Sequence, residues 1–410
     1  MISLQDLFIL ILFVAALAIG WLLGSRERKK TERANGSEPV YFAGLNYLLK
    51  EETHEAIDSL VSVLEHGTDS MDAHLVLAHM LRRRGDVERA IQIHQKLLAN
   101  PALTPVEINR INLELARDYT SVGLYDRAES LLLKELESEA GDKKASFEYL
   151  LEIYQETKEW ARAIEVSERI IGRSGTFWRN LWPRPKYLER RLKQSVAHFH
   201  CELAVEKLAS AEVRAAKKHL KRALSVDSQS VRANLQLAQL FMDGREYQAA
   251  LKCLDVVRAQ DAALFPEALP LIVTCYKQLS DEKGLFDYLT KAMLELPSSA
   301  VAILLAQIIT DQDGVDAGIR FFVNERDVRS LRELEPLLTL MAQDGDAAIS
   351  CVHEAVSALF QRSHSYRCDN CGFAGESLHW QCPSCKEWGA IKPSFELDAA
   401  LKTTTSELQA

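Results

Sequence analysis

The sequence predicts an all-α array of helix pairs, preceded by a membrane-spanning helix and followed by a small metal module. Three observations lead to this prediction. In the 410-residue chain, a continuous apolar run lies near the N-terminus, alanines recur from Ala56 to Ala250 at steps that are mostly 34 to 38 residues, and two Cys-x-x-Cys pairs lie near the C-terminus. Each observation belongs to a different part of the chain, so we expect an anchor, an array and a module in that order.

The first element is a predicted transmembrane anchor at residues 1–24. The run Leu7–Leu23 is apolar or small throughout, and with the residues before it the run is long enough to cross a bilayer. Asp6 precedes the run, and a basic linker, residues 25–40, follows it. A cleaved signal peptide, the alternative, has its basic residues before the apolar run. The positive-inside rule therefore predicts a single-pass protein whose array and metal module face the cytoplasm.

The second element is an array of helix pairs at residues 41–362. A register alanine recurs with steps of 34, 38, 35, 53 and 34 residues at the positions Ala56, Ala90, Ala128, Ala163, Ala216 and Ala250. Twelve residues before each lies a residue that is small in five of six cases, and nine residues before each lies most often an aromatic. Glycines, Gly85, Gly123 and Gly244, are expected at the turns within pairs. This is the tetratricopeptide pattern, which stacks helix pairs into a superhelix. A generic helical bundle is the alternative.

One step of the array is too long, and the excess lies at about residues 172–194. This insertion combines basic and aromatic residues, namely Phe177, Trp178, Arg179, Trp182, Arg184, Lys186, Tyr187, Arg190 and Arg191. Such a mixture is found where proteins contact anionic lipid headgroups or RNA. It is equally found in an extended helix whose basic face is solvated and whose tryptophans pack on neighbouring repeats.

The third element is a metal module at residues 363–394. Cys368 and Cys371 form one Cys-x-x-Cys pair, and Cys382 and Cys385 form the other. Two such turns facing each other complete a tetrahedral thiolate site for one metal ion, and a closed site of four sulfurs favours a structural or regulatory metal. Iron and zinc suit these ligands about equally, and a pair of disulfides is the alternative.

Aromatic residues surround the cysteine pairs, and the module is short. Tyr366, Phe373, Trp380 and Trp388 are expected either to shield the sulfurs, as in rubredoxin-type iron sites, or to form the module's small core. The module is expected to pack against the last repeats. A polar tail, residues 395–410, follows it and is predicted to be disordered.

Composition and motifs exclude several classes of function. The net charge of −9 gives no support for a nucleic-acid partner. The sequence lacks a phosphate-binding loop, a nucleophile elbow and a His-Glu-x-x-His helix, so we expect no enzyme activity. His198 and His200 are expected to be ordinary helical histidines, and His379 a surface residue. The four cysteines outside the module are expected to be core thiols, which fits a reducing compartment.

The combination of anchor, array and four-cysteine module resembles the lipopolysaccharide assembly protein B family. The resemblance is carried by Leu7–Leu23, by Ala197–Ala204, by Tyr366–Phe373, by Trp380–Cys385 and by Ile391–Pro393. It covers nearly the whole chain. The insertion at 172–194 and the longer tail depart from the family pattern.

The resemblance implies a regulator of lipopolysaccharide biosynthesis at the inner membrane of Gram-negative bacteria. It implies an adaptor that promotes degradation of the UDP-3-O-acyl-GlcNAc deacetylase by the membrane-bound AAA metalloprotease. It also implies a rubredoxin-like site in which Cys368, Cys371, Cys382 and Cys385 bind iron, with zinc as the alternative. A scaffold for lipopolysaccharide-synthesis enzymes and a rubredoxin-like redox protein remain open as alternative functions, and a homodimer remains open as an assembly.

Overall fold

The computed structural model describes residues 71–138, 143–172, 186–324, 331–342, 349–350, 352–354, 356–357 and 365–394. The predicted anchor, the basic linker, the first repeat around Ala56, residues 173–185 of the insertion and the tail after Ser394 lie outside these residues. Among the helices that are described, none combines the length and the apolar character that crossing a bilayer requires.

The described residues form two compact units that divide after Glu159. The helices of the first unit are α1 (Met71–Arg84), α2 (Val87–Leu98), α3 (Pro105–Ser121), α4 (Tyr125–Glu137) and α5 (Lys143–Glu156). The second unit begins with α6 (Trp160–Gly172), α7 (Lys186–Ala209), α8 (Val213–Val226), α9 (Val231–Asp243) and α10 (Tyr247–Gln260). It continues with a 3₁₀ helix (Ala262–Glu267), α11 (Leu269–Gln278), α12 (Glu282–Glu295), α13 (Ser299–Asp313), α14 (Val315–Asn324) and α15 (Leu331–Ala342). Within each unit, short connections join helices into antiparallel pairs, among them α1 with α2, α3 with α4, α7 with α8 and α9 with α10, as the repeat pattern predicts.

The register residues lie at the helix contacts. Every described register alanine is fully buried, from Ala90 to Ala250. The small residues twelve positions earlier are buried as well, among them Ala78, Ala116 and Ala238. A side chain of one carbon lets two helices approach closely, so the period read from the sequence is the period of helix packing.

The turns within pairs share one backbone geometry. In the repeat after Ala250 the register position is Leu285, 35 residues later. Five residues before each described register position lies a residue with a positive φ, at Gly85, Gly123, Lys158, Ala211, Arg245 and Ser280. The amide that follows donates to the carbonyl of the residue five positions before it, for example Glu246 to Phe241 at 2.7 Å. This pattern closes a helix in the Schellman manner. Gly244 lies in its turn as expected, but it has a φ of −81°, and the next residue, Arg245, occupies the left-handed position.

These turns allow a test of the backbone strain in the array. Replacing Lys158, which has a φ of 59°, by glycine is expected to raise the free energy of unfolding of the first unit by about 1 kcal/mol. Replacing Gly123, whose φ is 75°, by alanine is expected to lower it by about the same amount, because an added Cβ meets no atom within 4 Å and only the backbone changes.

Urea denaturation of the variants measures both effects. Lys158→Ala is the matched control, since it removes the same side chain and keeps the strained backbone, and it is expected to leave the stability close to the wild-type value. Equal gains for Lys158→Gly and Lys158→Ala would show that the lysine side chain, and not the backbone, is responsible.

A buried ionic cluster connects helices of the first unit. Asp118 of α3 is fully buried and accepts hydrogen bonds from His94 Nδ1 of α2 at 2.6 Å and from Arg82 Nη1 of α1 at 2.7 Å. Arg82 also donates to Glu114 Oε2 at 2.8 Å. The cluster joins three helices through groups that would be costly to bury alone.

Candidate metal centre

A three-stranded sheet holds the cysteine module together. Its strands are β1 (Tyr366–Cys368), β2 (Ala374–Gly375) and β3 (Ile391–Pro393), and β1 lies in the middle, antiparallel to both neighbours. The first cysteine pair forms the turn between β1 and β2. The second pair forms a turn that closes at the bridge between Gln381 and Trp388.

The two cysteine turns have nearly the same backbone. In the first, the Gly372 amide donates to the Cys368 carbonyl at 2.9 Å, and in the second the Lys386 amide donates to the Cys382 carbonyl at 2.9 Å. Both donors have a positive φ, 76° at Gly372 and 59° at Lys386. Gly372 follows the first cysteine pair, where a left-handed turn position favours glycine. The two turns therefore present their thiols as equivalent halves of one site.

The four sulfurs lie within 4.8 Å of one another. Cys368 Sγ is 3.7 Å from Cys385 Sγ, and Cys371 Sγ is 3.6 Å from Cys382 Sγ. Disulfide sulfurs lie about 2.05 Å apart, so these two pairs are not bonded to each other. Four metal–sulfur bonds of about 2.3 Å at tetrahedral angles place the sulfurs roughly 3.8 Å apart, which is close to both distances. The spacing fits a tetrahedral metal ion.

The four thiols differ in their exposure to solvent and in their hydrogen-bond partners. Cys368 and Cys382, the first residues of each pair, are buried, whereas Cys371 is exposed and Cys385 is partly exposed. Burial raises the pKa of the Cys382 thiol to about 12. Hydrogen bonds from the Asn370 side chain and the Glu387 backbone lower the pKa of Cys385 to about 6, and a backbone hydrogen bond from Phe373 lowers that of Cys371. A bound cation would stabilise all four thiolates.

The residues present therefore fit a structural metal ion. Four thiolates would fill a tetrahedral coordination shell, so the ion would have no open position for water or substrate. The same geometry suits zinc and iron. A metal here would join the two cysteine turns, and a module of about thirty residues has too small a core to fold well without such a link.

The aromatic residues near the cysteines have two different roles. Tyr366 and Phe373 pack with Cys368, Cys382 and Ile391 in the module core, as one of the two expectations stated. Trp380 and Trp388 instead lie against the helical array. Trp388 is buried, and it stacks on His198 of α7 with ring centroids 5.0 Å apart.

Trp388 occupies an aromatic pocket of the array. Its ring meets Trp160 of α6 edge-on at 6.0 Å and Phe199 of α7 edge-on at 5.9 Å. Burial lowers the pKa of His198 to about 3, and Arg232 and Lys392 act in the same direction. The imidazole is therefore neutral near pH 7 and packs as an aromatic ring.

In three successive repeats, the residue at the same place in the repeat contacts the module. His198, Arg232 and Glu267 each lie eighteen residues before the register position of their repeat. His198 stacks on Trp388, the Arg232 guanidinium lies 5.9 Å from the Trp380 ring, and Glu267 accepts a hydrogen bond from the Tyr366 hydroxyl at 2.7 Å. The module thus lies along a row of equivalent positions that the repeat geometry lines up.

Ion pairs surround this aromatic contact. Arg191, on the N-terminal part of α7, donates from Nε to Glu387 Oε1 at 3.0 Å, and Lys392 of β3 pairs with Asp261 before the 3₁₀ helix. Residues 186–194 of the predicted insertion form the start of α7. The extension of α7 beyond an ordinary repeat helix therefore supplies one contact to the module.

The docking surface differs from the one expected. The hydrogen bonds, ion pairs and ring contacts described above join the module to residues between Trp160 and Glu267, so the expectation that it packs against the last repeats is wrong. The reason is chemical: the two tryptophans find aromatic and cationic partners on α6, α7 and α9.

The histidines also have different environments from one another. His198 is part of the docking surface, which spacing alone did not indicate. His200 lies with its Nδ1 3.3 Å from His219 Nδ1 of α8. His379 is exposed, as expected, and lies 3.3 Å from the Ser377 hydroxyl. A search of the sequence for the residue eighteen positions before each register position would have placed His198 in one group with Arg232 and Glu267.

Comparison with known proteins agrees with this architecture. Residues 366–393 match the rubredoxin metal binding domain, and residues 73–105 and 201–263 match tetratricopeptide repeats. Lipopolysaccharide assembly protein B of Escherichia coli K12 is 33% identical over 401 residues, which cover 96% of this chain and 99% of the relative. The protein of the same name from Haemophilus influenzae is 30% identical over 406 residues, which cover 95% of this chain and 98% of the relative.

Solved repeat structures are more distant. The TPR2AB domain of yeast Sti1 is 16% identical, with a TM-score of 0.25, over 59% of this chain and 99% of that one. A similarity this low carries no argument about function. The two lipopolysaccharide assembly protein B relatives do support an argument about function, because they match along nearly the full length of both chains. These matches show that the chain belongs to the lipopolysaccharide assembly protein B family.

Proposed function

We propose that this protein regulates lipopolysaccharide biosynthesis at the bacterial inner membrane without being an enzyme. In this proposal it is an adaptor that presents the UDP-3-O-acyl-GlcNAc deacetylase to the membrane-bound AAA metalloprotease and so promotes its degradation. The observation that carries the proposal is the similarity to lipopolysaccharide assembly protein B along 96% of the chain, module included.

The helical array supports an adaptor. Repeats bury their small register residues against each other and leave long rows of equivalent positions for partners. One such row already holds the metal module through His198, Arg232 and Glu267. The proposal assigns other rows of the same helices to a second protein.

The cysteine site supports a structural role for the metal. Cys368, Cys371, Cys382 and Cys385 would hold iron, with zinc as the alternative, and the ion would supply the link between the two turns. Through Trp380 and Trp388, the folded module then fixes one side of α6, α7 and α9. The proposed anchor at residues 1–24 would confine this surface near membrane-bound partners and raise their effective concentration.

The half-life of the deacetylase tests the proposal. After translation is stopped, the deacetylase is expected to persist several-fold longer in cells that lack this gene than in wild-type cells, because an adaptor raises the rate at which the protease captures it. An unrelated substrate of the same protease is the control, and its half-life is expected to stay unchanged. An unchanged deacetylase half-life would contradict the adaptor.

Two alternatives make different predictions in the same cells. A scaffold would leave the half-life unchanged, and complexes of lipopolysaccharide-synthesis enzymes would be lost. A redox role is favoured by one observation, the exposed Cys371 at the edge of the site, which would bring an iron ion close to solvent. A reversible one-electron couple needed for function would support that role.

A further inference from the structure

Helix α8 carries an unusual concentration of positive charge. The segment Val213–Val226 contains five lysines and arginines and no acidic residue, in a chain whose net charge is −9. Ala216, Leu220 and Ala223 bury one face of the helix. Arg214, Lys218 and Lys221 are exposed, and their spacing of four and then three residues aligns them on the opposite face.

The charges on this face are not balanced within the described part of the chain. Arg222 pairs with Glu168 of α6 at 3.3 Å, and Lys217 lies over the Phe241 ring at 4.0 Å. Arg214, Lys218 and Lys221 form no ion pair with any described residue. Arg214 with Lys218 and Lys218 with Arg222 are like-charge pairs four residues apart, which destabilise a helix. An external anion would relieve this repulsion.

We propose that the basic stripe, Arg214, Lys218 and Lys221, binds the anionic headgroups of a phospholipid bilayer. The three cations project from one face of a single helix, which suits a planar layer of negative charge. The helix has no Phe, Tyr or Trp on which a nucleobase would stack, and its one imidazole, His219, lies beside His200, which disfavours RNA. Two of the three are lysines, which act as flexible point charges, whereas a carboxylate-specific site favours arginine forks.

The inference rests on the proposed membrane location and adds an orientation to it. With the stripe on the bilayer, the second unit would lie with α8 towards the membrane. The array would then be held at two places, by the proposed anchor and by this helix. The contact would weaken at high salt, since charges exposed to solvent are screened.

Photo-crosslinking of the full chain in nanodiscs tests the stripe directly. Ser225 is exposed on the same face of α8, and replacing it by p-benzoylphenylalanine leaves all the cations in place. Irradiation is expected to give phospholipid adducts in bilayers that contain phosphatidylglycerol. Adduct yield should fall roughly tenfold or more in pure phosphatidylcholine. The same probe at Asp287, exposed on α12, is expected to give few adducts in either bilayer.

Charge reversal supplies the matched comparison. Lys218→Glu with Lys221→Glu is expected to remove the adducts at Ser225, whereas Lys277→Glu with Lys283→Glu, an equal change of charge at exposed lysines elsewhere in the second unit, is expected to keep them. The stripe variant should melt no lower than wild type, because it replaces like-charge pairs by opposite ones.

The outcomes separate this inference from the proposed function. The chain could insert into nanodiscs and give adducts whose yield depends neither on phosphatidylglycerol nor on charge reversal. That result would overturn the inference that the stripe binds anionic lipid and would leave the adaptor proposal intact. A charge-dependent protein adduct in irradiated cells, in place of a lipid adduct, would assign the stripe to an acidic protein and overturn the inference. A chain that does not enter the bilayer would overturn the membrane location and the stripe together.

Discussion

Replacing Cys382 and Cys385 together by serine is expected to abolish metal binding and to unfold the module. Two of four ligands are lost, and structural metal sites of this kind contribute about 10–16 kcal/mol of apparent binding free energy. Metal content, measured on the purified full chain, is expected to fall from about one ion per chain to near zero. Limited proteolysis is expected to cleave within residues 365–394, which the wild-type fold protects.

Cys253→Ser is the matched control for this variant. Cys253 is partly buried, lies on α10 and belongs to the array, so the same chemical change there is expected to leave the metal content and the protection of the module unchanged. A double variant that keeps its module protected without metal would contradict the structural role of the ion. Elemental analysis of the wild-type chain also decides between iron and zinc.

Replacing Trp388 by alanine is expected to release the module from the array while the metal stays bound. The four cysteines are untouched, but the contacts with Trp160, His198 and Phe199 are lost. Truncation of a buried tryptophan destabilises by about 3–5 kcal/mol. Faster protease cleavage of the module and a lower denaturation midpoint of the second unit are the expected results.

The conservative variant Trp388→Phe separates packing from other effects. A phenylalanine keeps an aromatic ring against His198, so an intermediate stability is expected. If Trp388→Ala also loses its metal, then the array is needed to fold the module, and docking and metal binding are one event. If neither stability nor protection changes, the aromatic contact is not what holds the module in place.

Much of the array follows from the sequence because its packing is periodic. A small side chain is needed wherever two helices touch closely, so the recurring alanines that the structure describes, from Ala90 to Ala250, are all buried. The turn at Arg245 shows the limit of such reasoning. Glycine is the usual left-handed residue, but the Schellman hydrogen bonds hold arginine there instead, and the neighbouring Gly244 has an ordinary φ.

The metal site was predictable because its ligands are close in sequence, but its docking surface was not. The sequence assigns Trp380 and Trp388 to the module alone, since nothing near them in sequence shows what they contact. Their partners come from α6, α7 and α9, which only the stacking of repeats brings together. The stretch Ala197–Ala204 marked the family, and the structure explains one part of it: His198 and Phe199 form the pocket for Trp388.

The central claim is our proposal that the docked metal module enables regulated proteolysis of the deacetylase. Its most direct test is the deacetylase half-life in deletion cells that express Trp388→Ala. This variant keeps the ligands and removes the docking contact. With expression adjusted to give wild-type levels of the variant protein, we predict a half-life as long as in the deletion strain and full metal content. A half-life as short as with the wild-type chain, in cells where the module is shown to be released, would contradict the claim.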